Sequence, residues 1–377
     1  MIPKTAIIRS GSKKLYDRKI CGLYPIERSI RILYQAGVSR FVLLLNDDEA
    51  DFYMDTVSRR LASFKDAVIE LNPKKIPAGA SFDIHSDLFM LYPQAVNFEK
   101  NFVKKGKSWV APAKGFISLR TDKDFADAEK IALDHVRKSA GGIIARNINK
   151  RISLPISRIL ARTGVSPNVL TFINMVIMLA GVALIFKDTY WSLFASGVII
   201  QLVSIFDGCD GEVAKLTIRF SKFGAWFDTF SDYLALFLYL AGFAYIFALH
   251  APLYVAVGAG VLAIGGAVVM VVSVLYYLHY YSISGSFVAY ARDFTDKLPL
   301  SDPLIRFIRV GQYFVRKECY SWIVFFLGIF GLLRYIILLG SVITVVGAIL
   351  VVMINRKYLR SMPKKKQSAE MAYISRR

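Results

Sequence analysis

Six long apolar runs fill most of the sequence between residues 169 and 355, and they restrict the possible folds more than any other feature. A helix needs about 20 predominantly apolar residues to cross the hydrocarbon core of a bilayer. The fifth run is the least regular, because Arg334 lies near its end. Hydrophobic residues make up 55% of the 377 residues, which is high for a soluble enzyme. The pattern predicts six spans, near 169–187, 189–214, 224–249, 252–282, 318–334 and 336–355.

Basic residues collect in four segments beside these runs and predict the orientation of the spans. The chain has 48 Lys and Arg against 28 Asp and Glu. Cytoplasmic loops carry an excess of Lys and Arg, and the basic segments alternate with short, nearly uncharged loops. We expect both termini in the cytoplasm of an integral membrane protein, with lipid rather than nucleic acid explaining the net charge of +20. The basic segments are 150–162, 215–222, 292–317 and 356–366.

The rest of the chain predicts three further parts. Residues 1–140 alternate strand-like and helix-like patterns, which is typical of an α/β domain with a mainly parallel sheet. Residues 141–168 mix Ile and Leu with Arg and Lys, as in an amphipathic helix on a membrane surface, although a charged linker helix fits as well. Residues 356–377 are a basic tail. The three cysteines form no CxxC and indicate neither a disulfide framework nor a thiolate metal site.

Four aspartates stand at the ends of the second and third predicted spans. Asp207 and Asp210 share a helical face with Gly211 and Ala214, and Asp228 and Asp232 are four residues apart on another helix. Solvated carboxylates at helix ends are the simpler interpretation, and small residues also serve helix packing. Four converging carboxylates would repel each other unless a cation neutralises them, and Mg²⁺ suits carboxylates combined with substrate phosphates. The spacing therefore favours a divalent metal site at the cytoplasmic end of these spans.

The complete pattern D207-x2-D210-G211-x2-A214-K215-x8-G224-x3-D228-x3-D232 resembles the signature of the CDP-alcohol phosphotransferase family of membrane enzymes. Lys215 stands where the family usually has Arg. The positive charge is kept, but the planar guanidinium, which can bind a phosphate through two parallel hydrogen bonds, is not. The resemblance covers residues 140–355 and implies that a substituted phosphate moves from a CDP-alcohol to an acceptor hydroxyl, with release of CMP.

The resemblance also implies a role for each residue of the pattern. Asp207, Asp210 and Asp228 would hold two Mg²⁺ or Mn²⁺ ions, with Asp232 nearby as general base and shared ligand. The acceptor would be a polar alcohol or an inositol or glycerol phosphate, and the protein would be a homodimer. The nucleotide would contact Gly211, Ala214, Lys215, Gly224, Asn168 and Thr171, and the acceptor would contact Arg219, Arg316 and Lys317.

The first 45 residues are similar to the start of sugar-nucleotidyltransferase domains. Such a domain fused to a CDP-alcohol phosphotransferase resembles the inositol-1-phosphate cytidylyltransferase/di-myo-inositol phosphate phosphate synthase fusions, whose first domain makes the CDP-alcohol. Sugar-nucleotidyltransferase domains begin with a strand, a Gly-rich loop that holds the nucleotide phosphates, and a Pro-Lys pair. Here the loop at residues 8–14 has a single glycine, Gly11, and Lys19 follows Arg18 in place of the Pro-Lys pair. Only Asp83 and Asp87 are candidates for the metal carboxylate. We expect a degenerate domain that has lost catalysis, with a bifunctional enzyme as the alternative.

Two other classes of protein compete with this interpretation. A cation-coupled transporter could use the aspartates as its ion site, but it predicts inverted repeats, and the sequence has no clear internal repeat. A non-catalytic membrane scaffold would leave the eight-position pattern unexplained. Release of CMP distinguishes the enzyme from both.

Overall fold

The computed structural model of the protein describes residues 2–11, 15–77, 79–112, 115–139, 145–281 and 317–358. The chain divides into two compact units. The first comprises residues 1–171 and 207–227, and the second comprises residues 172–206 and 228–377.

The first unit contains the predicted α/β fold, built on eight described strands. These are β1 Thr5–Arg9, β2 Arg40–Leu44, β3 Val68–Leu71, β4 Ser81–His85, β5 Leu88–Phe89, β6 Val103–Lys105, β7 Ser108–Val110 and β8 Ile117–Ser118. Six of them form one sheet in the order β3-β2-β1-β4-β7-β6, in which only the β6–β7 pair is antiparallel. Strands β5 and β8 form a separate antiparallel pair. The mainly parallel pairing agrees with the sequence-based prediction.

Two segments differ from what their sequence pattern indicates. The apolar run DLFMLYP is typical of a full strand, but only Leu88 and Phe89 are extended, and a helix begins at Tyr92. Pro93 explains this, because proline fits the first turn of a helix and lacks the amide that a central strand needs. Strand β4 was not predicted as a strand, although its sequence SFDIH places buried Phe82 and Ile84 two residues apart, as expected for one face of a strand.

Seven described α-helices belong to the first unit. They are α1 Pro25–Gln35, α2 Asp47–Phe52, α3 Ser58–Leu61, α4 Tyr92–Val96, α5 Phe98–Asn101, α6 Asp122–Lys138 and α7 Lys150–Thr163. Helix α6 begins at a capping box, in which Thr121 and Asp124 exchange hydrogen bonds with each other's backbone amides. Helix α1 buries Ile26, Ile30 and Leu33 in the core of the sheet.

Helix α7 packs against the α/β domain through Leu154 and Ala161, which join an apolar cluster there, and through two arginines beside them. Arg158 and Arg162 donate to Glu129 of α6 at 2.5 and 2.9 Å. Gly22 has a φ of +82°, and a Cβ there would lie 2.0 Å from the carbonyl oxygen of Ala161, so the close approach requires glycine. Helix α7 is therefore fixed to the domain on one side.

The long helices follow α7 and continue to residue 358. They are α8 Pro167–Ile185, α9 Tyr190–Leu216, α10 Lys222–Ala248, α11 Leu253–Tyr280, α12 Lys317–Ile329 and α13 Ile336–Tyr358. Among the described residues, five segments are long and apolar enough to cross a membrane: α8, α9, α10, α11 and Leu333–Lys357. The predicted span 318–334 corresponds to α12, a shorter apolar helix of 13 residues. The basic segment 292–316 and the tail from residue 359 lie outside the described residues.

An ion cluster in the second unit joins three inter-helix segments. Asp188, between α8 and α9, accepts from Arg334 Nε at 2.8 Å and lies 2.5 Å from His250 Nε2. Arg334 also donates to the carbonyl oxygen of Asp188, which has a φ of +46°. Arg334, which interrupts the fifth apolar run, therefore has an acidic partner at the end of the helices.

Candidate active site

Three of the four predicted aspartates come together where α9 and α10 approach each other. Carboxylate oxygens of Asp207 on α9 and of Asp228 and Asp232 on α10 all lie within 4.8 Å of one another. Asp228 and Asp232 face the same direction because a helix repeats every 3.6 residues. Asp210 is outside this group of three and accepts a hydrogen bond from Thr171 Oγ1.

This arrangement fits a hard divalent cation. All three side chains offer only carboxylate oxygens, which are the ligands that Mg²⁺ and Mn²⁺ prefer. They are partly buried, so water screens their repulsion less than it would on an open surface. A divalent ion would offset that repulsion while leaving coordination positions for substrate oxygens.

Lys317, at the start of α12, reaches the same cluster. Its Nζ lies 2.5 Å from Asp232 Oδ1. The family resemblance implies acceptor binding for Lys317 and proton transfer for Asp232, and the structure joins the two in one ion pair. Arg316, its predicted neighbour in acceptor binding, lies outside the described residues.

The start of α8 provides two further predicted residues of the first unit. Thr171 is buried and bonds to Asp210 as well as to the carbonyl oxygen of Pro167. A Cβ at Gly224 would lie 2.7 Å from Asn168 Oδ1 and 2.8 Å from Ser221 Oγ. Asn168 and Gly224 are therefore adjacent, and Gly224 leaves the space that the Asn168 side chain occupies.

The remaining predicted residues lie along the last turns of α9 and the loop that follows it. Gly211 is exposed, and a Cβ there would meet nothing within 4 Å among the described residues, whereas Ala214 is half-buried. Lys215 Nζ donates to Ser139 Oγ at 2.8 Å, and Arg219 Nη1 donates to the carbonyl oxygen of Gly164 at 2.8 Å. Both cations therefore contact neutral acceptors of the first unit.

Glu212 is a buried acidic residue that the sequence interpretation passed over. It occupies a variable position of the pattern, and its side chain is fully shielded from solvent. Lys150 Nζ and Ser153 Oγ of α7 both donate to Glu212 Oε1 at 2.6 Å. Lys150 is one of the basic residues that predict membrane orientation. A third acidic side chain within the predicted span 189–214 was the available signal that Glu212 has a partner.

The candidate nucleotide residues of the α/β domain are paired with each other. Asp83 accepts from Arg9 Nε at 2.9 Å and from Arg9 Nη2 at 3.2 Å. A Cβ at Gly11 would lie 2.7 Å from Asp87 Cβ, so the Asp87 side chain packs directly on the loop glycine. His85 Nδ1 lies 3.1 Å from the carbonyl oxygen of Ser10, as expected for a loop contact.

Residues 164–346 match the family model described as CDP-alcohol phosphatidyltransferase. Three curated relatives share the description "Bifunctional IPC transferase and DIPP synthase". The Aquifex aeolicus protein is 34% identical over 130 residues, which is 34% of this chain and 29% of the relative. The Archaeoglobus fulgidus protein is 32% identical over 133 residues, 35% of this chain and 26% of the relative. The Rubrobacter xylanophilus protein is 33% identical over 155 residues, 41% of this chain and 34% of the relative.

The matched segments thus span about a third or less of each relative's length. The family match includes every position of the aspartate pattern, from Asp207 to Asp232. Over residues 164–346, just under half of the chain, the sequence matches the CDP-alcohol phosphatidyltransferase family.

Proposed function

We propose that the protein transfers a substituted phosphate from a CDP-alcohol to an acceptor alcohol. The acceptor hydroxyl attacks the phosphorus that carries the donor alcohol, a new phosphodiester forms, and the bond to CMP breaks. The observation that carries this proposal is the convergence of Asp207, Asp228 and Asp232 within the matching domain.

Asp207, Asp210 and Asp228 would hold divalent metal ions, two in number, and Mg²⁺ or Mn²⁺ fits their oxygen ligands. Bound there, the ions would polarise the phosphoryl oxygens and offset charge on the leaving CMP. Thr171 would orient Asp210 through the hydrogen bond between them, since an aligned ligand loses less entropy when a metal binds.

Asp232 would accept the proton of the acceptor hydroxyl and share in metal binding. Its ion pair with Lys317 supports a link between this base and the acceptor. An anionic acceptor such as an inositol or glycerol phosphate would draw Lys317 onto its phosphate and release Asp232 for proton transfer. Arg219 and Arg316 would complete the acceptor site.

The cytidine diphosphate would lie along α9 and the start of α8. Gly211 would leave room for it beside α9, Lys215 would supply positive charge for the diphosphate, and Ala214, Asn168 and Gly224 would line the same pocket. The open space at Gly211 supports this location.

The domain would span the membrane six times, with its termini and active site in the cytoplasm. Five described segments are apolar enough to cross, and α12, which corresponds to the predicted span 318–334, would provide the remaining crossing. Helix α7 would lie on the membrane surface. Ile152, Pro155 and Ile159 are exposed at helical spacing along one stripe, and Ile148 continues it one turn earlier, just before the helix, whereas Leu154 and Ala161 are buried against protein.

The α/β domain raises the second candidate function, synthesis of the CDP-alcohol from CTP. The description of the relatives as bifunctional favours it. The Arg9–Asp83 ion pair and the single loop glycine favour loss of that activity, because Asp83 already has a cationic partner. We infer a degenerate domain, in a homodimer, that has kept a structural or donor-delivering role.

The test uses the full chain in detergent with Mg²⁺ or Mn²⁺, a panel of CDP-alcohols and polar acceptors, and CMP release as the measurement. Acceptor-dependent CMP release that is lost in Asp228→Asn and Asp232→Asn supports the proposal. Failure to bind either metal or CDP would overturn it and favour the transporter. Incubation with CTP and alcohol phosphates, with pyrophosphate release measured, tests the bifunctional alternative separately.

A further inference from the structure

The α/β domain holds the loop that joins the two helices of the aspartate pattern. Helix α9 ends at Leu216 and α10 begins at Lys222. Between them, Ile218 is almost completely buried in the core of the α/β domain, among residues of α1 and the sheet. The ring of Phe220 lies 5.5 Å from the ring of Tyr92, and its carbonyl oxygen accepts from Gln35 Nε2 at 3.4 Å.

The backbone of this loop adopts a conformation that needs external support. Ile218 has a φ of +51°, which is rare for a β-branched residue. The amide of Arg219 donates to the carbonyl oxygen of Ala214 at 2.9 Å, so α9 ends in the bonding pattern that normally places glycine at the Ile218 position. An isoleucine there is retained at the expense of strain, which the burial of its side chain offsets.

Arg28 of α1 provides a second, polar attachment. Its Nη1 donates to the carbonyl oxygen of Leu216 at 3.0 Å, directly beyond Lys215. The guanidinium is buried, stacks 5.0 Å from the centre of the Phe89 ring, and makes a longer bond to the carbonyl oxygen of Met90. Burial lowers the pKa of Arg28 to about 10.

Among the described residues, Arg28 donates only to backbone carbonyls and has no carboxylate partner. A buried cation without an anion is expensive, and a methionine or leucine would fill the same space. The cation remains favourable here because the last carbonyls of a helix carry partial negative charge and need donors. The interactions of Arg28 therefore serve the end of α9 rather than the packing of α1.

We propose that Arg28 is a positioning residue for the phosphotransferase, holding the end of α9 so that Lys215 meets the donor diphosphate. The α/β domain is then a working part of the transferase site even without a catalytic reaction of its own. This inference rests on the proposed function, because it assigns a role to a residue that acts through Lys215.

The test compares Arg28→Met and Arg28→Lys with Arg31→Met in the full-length protein. Arg31 is a matched control, since it is equally buried in α1 but donates to Glu27 and to the carbonyl oxygen of Arg60. We expect Arg28→Met to raise the KM for the CDP-alcohol about tenfold, equivalent to about 1.4 kcal/mol, with little change in kcat. Arg28→Lys keeps the charge but loses the planar guanidinium, so its KM for the CDP-alcohol should lie between those of the wild type and Arg28→Met.

Hydrogen exchange provides a readout that does not depend on turnover. The amides of Thr217 and Arg219 are bonded to carbonyls of α9, and they should exchange faster in Arg28→Met but not in Arg31→Met. If Arg28→Met does not fold, Ile218→Gly replaces it, because glycine accepts the positive φ but removes the buried side chain. Its KM should rise in the same direction.

An Arg28→Met protein that loses thermal stability like Arg31→Met, but keeps its KM and the slow exchange of the loop, would overturn the inference. If the wild type releases no CMP from any donor, the proposed function fails. Unchanged loop exchange in Arg28→Met would then overturn the positioning role as well. Faster exchange with an unchanged KM would overturn the link to the donor.

Discussion

Lys317 Nζ lies 2.5 Å from Asp232 Oδ1, although 85 residues separate the two in sequence. The pair places a cation on the carboxylate that the proposed reaction needs as a base. Both side chains are partly exposed, so the attraction is modest and a substrate or ion can replace either partner. Lys317 thus competes with metal and stays close enough to bind an acceptor phosphate.

Replacing Lys317 with methionine should lower the metal concentration that gives half-maximal activity, because a competing cation is removed from Asp232. The same change should raise the KM for a phosphorylated acceptor. Activity measured against metal and acceptor concentration checks both effects, with the exposed Lys187→Met as control. A higher metal concentration for half-maximal activity in Lys317→Met than in the wild type would contradict this role.

Asp232→Asn should reduce CMP release by about 10²–10⁴-fold, the range expected when a general base is lost. The asparagine keeps the size of the side chain, so the protein should retain its thermal stability. Isothermal titration with CDP and Mg²⁺ should still detect nucleotide binding. If Asp232→Asn remained active, Asp232 would not be the general base, and another residue would have to accept the proton.

Glu212 and Lys150 should stabilise the protein together rather than singly. Glu212→Gln leaves Lys150 half-buried without an anion, and Lys150→Met leaves a buried carboxylate, so each should destabilise by about 3–5 kcal/mol. The double variant should be less destabilised than the sum of the two. Thermal unfolding in detergent gives the double-mutant cycle, and additive losses would mean that the pair is not coupled.

The pattern of residues predicted the α/β fold and the apolar helices because both follow from periodicity. Helical spacing, which is local information, also placed Asp207 with Asp210 on one helical face and Asp228 with Asp232 on another, although Asp210 lies outside the group of three that the structure brings together. The pattern did not predict that Lys317 pairs with Asp232 or that Arg28 binds the carbonyl oxygen of Leu216. These contacts join segments 85 and 188 residues apart, and their partners are set by tertiary packing.

Strand β4 and Glu212 were missed for other reasons. The strand carries Asp83 and His85, which weaken its apolar pattern, and parallel neighbours on both sides stabilise it regardless. Glu212 occupies a variable position of the aspartate pattern, where its burial against α7 leaves no trace in spacing. Strand β4 and Glu212 both depend on neighbours that the periodicity of the sequence does not reveal.

The stability of the first unit should fall in acid through Glu129. Burial raises the pKa of this carboxyl, but hydrogen bonds from Arg158 and Arg162 outweigh it and hold the pKa below the ordinary 4.5. A depressed carboxyl pKa contributes stability above the unfolded-state value, and that contribution is lost as the pH falls below 4.5. Glu129→Gln should remove this part of the pH dependence, measured as unfolding temperature between about pH 6 and 3. The exposed Glu99→Gln is the control, and an identical acid profile for wild type and Glu129→Gln would refute the assignment.

Gly224 and Gly211 should respond differently to the same added methyl group. A Cβ at Gly224 would lie 2.7 Å from Asn168 Oδ1, so Gly224→Ala must displace that side chain and should lower both thermal stability and donor affinity. Gly211→Ala meets no described atom within 4 Å, so stability should be unchanged while the KM for the CDP-alcohol rises if the nucleotide packs there. Removing the obstructing oxygen with Asn168→Ala should restore part of the stability of Gly224→Ala, because the two changes share one space. Equal effects of the two alanines on stability would contradict the close packing at Gly224, and an unchanged KM in Gly211→Ala would place the nucleotide away from this face of α9.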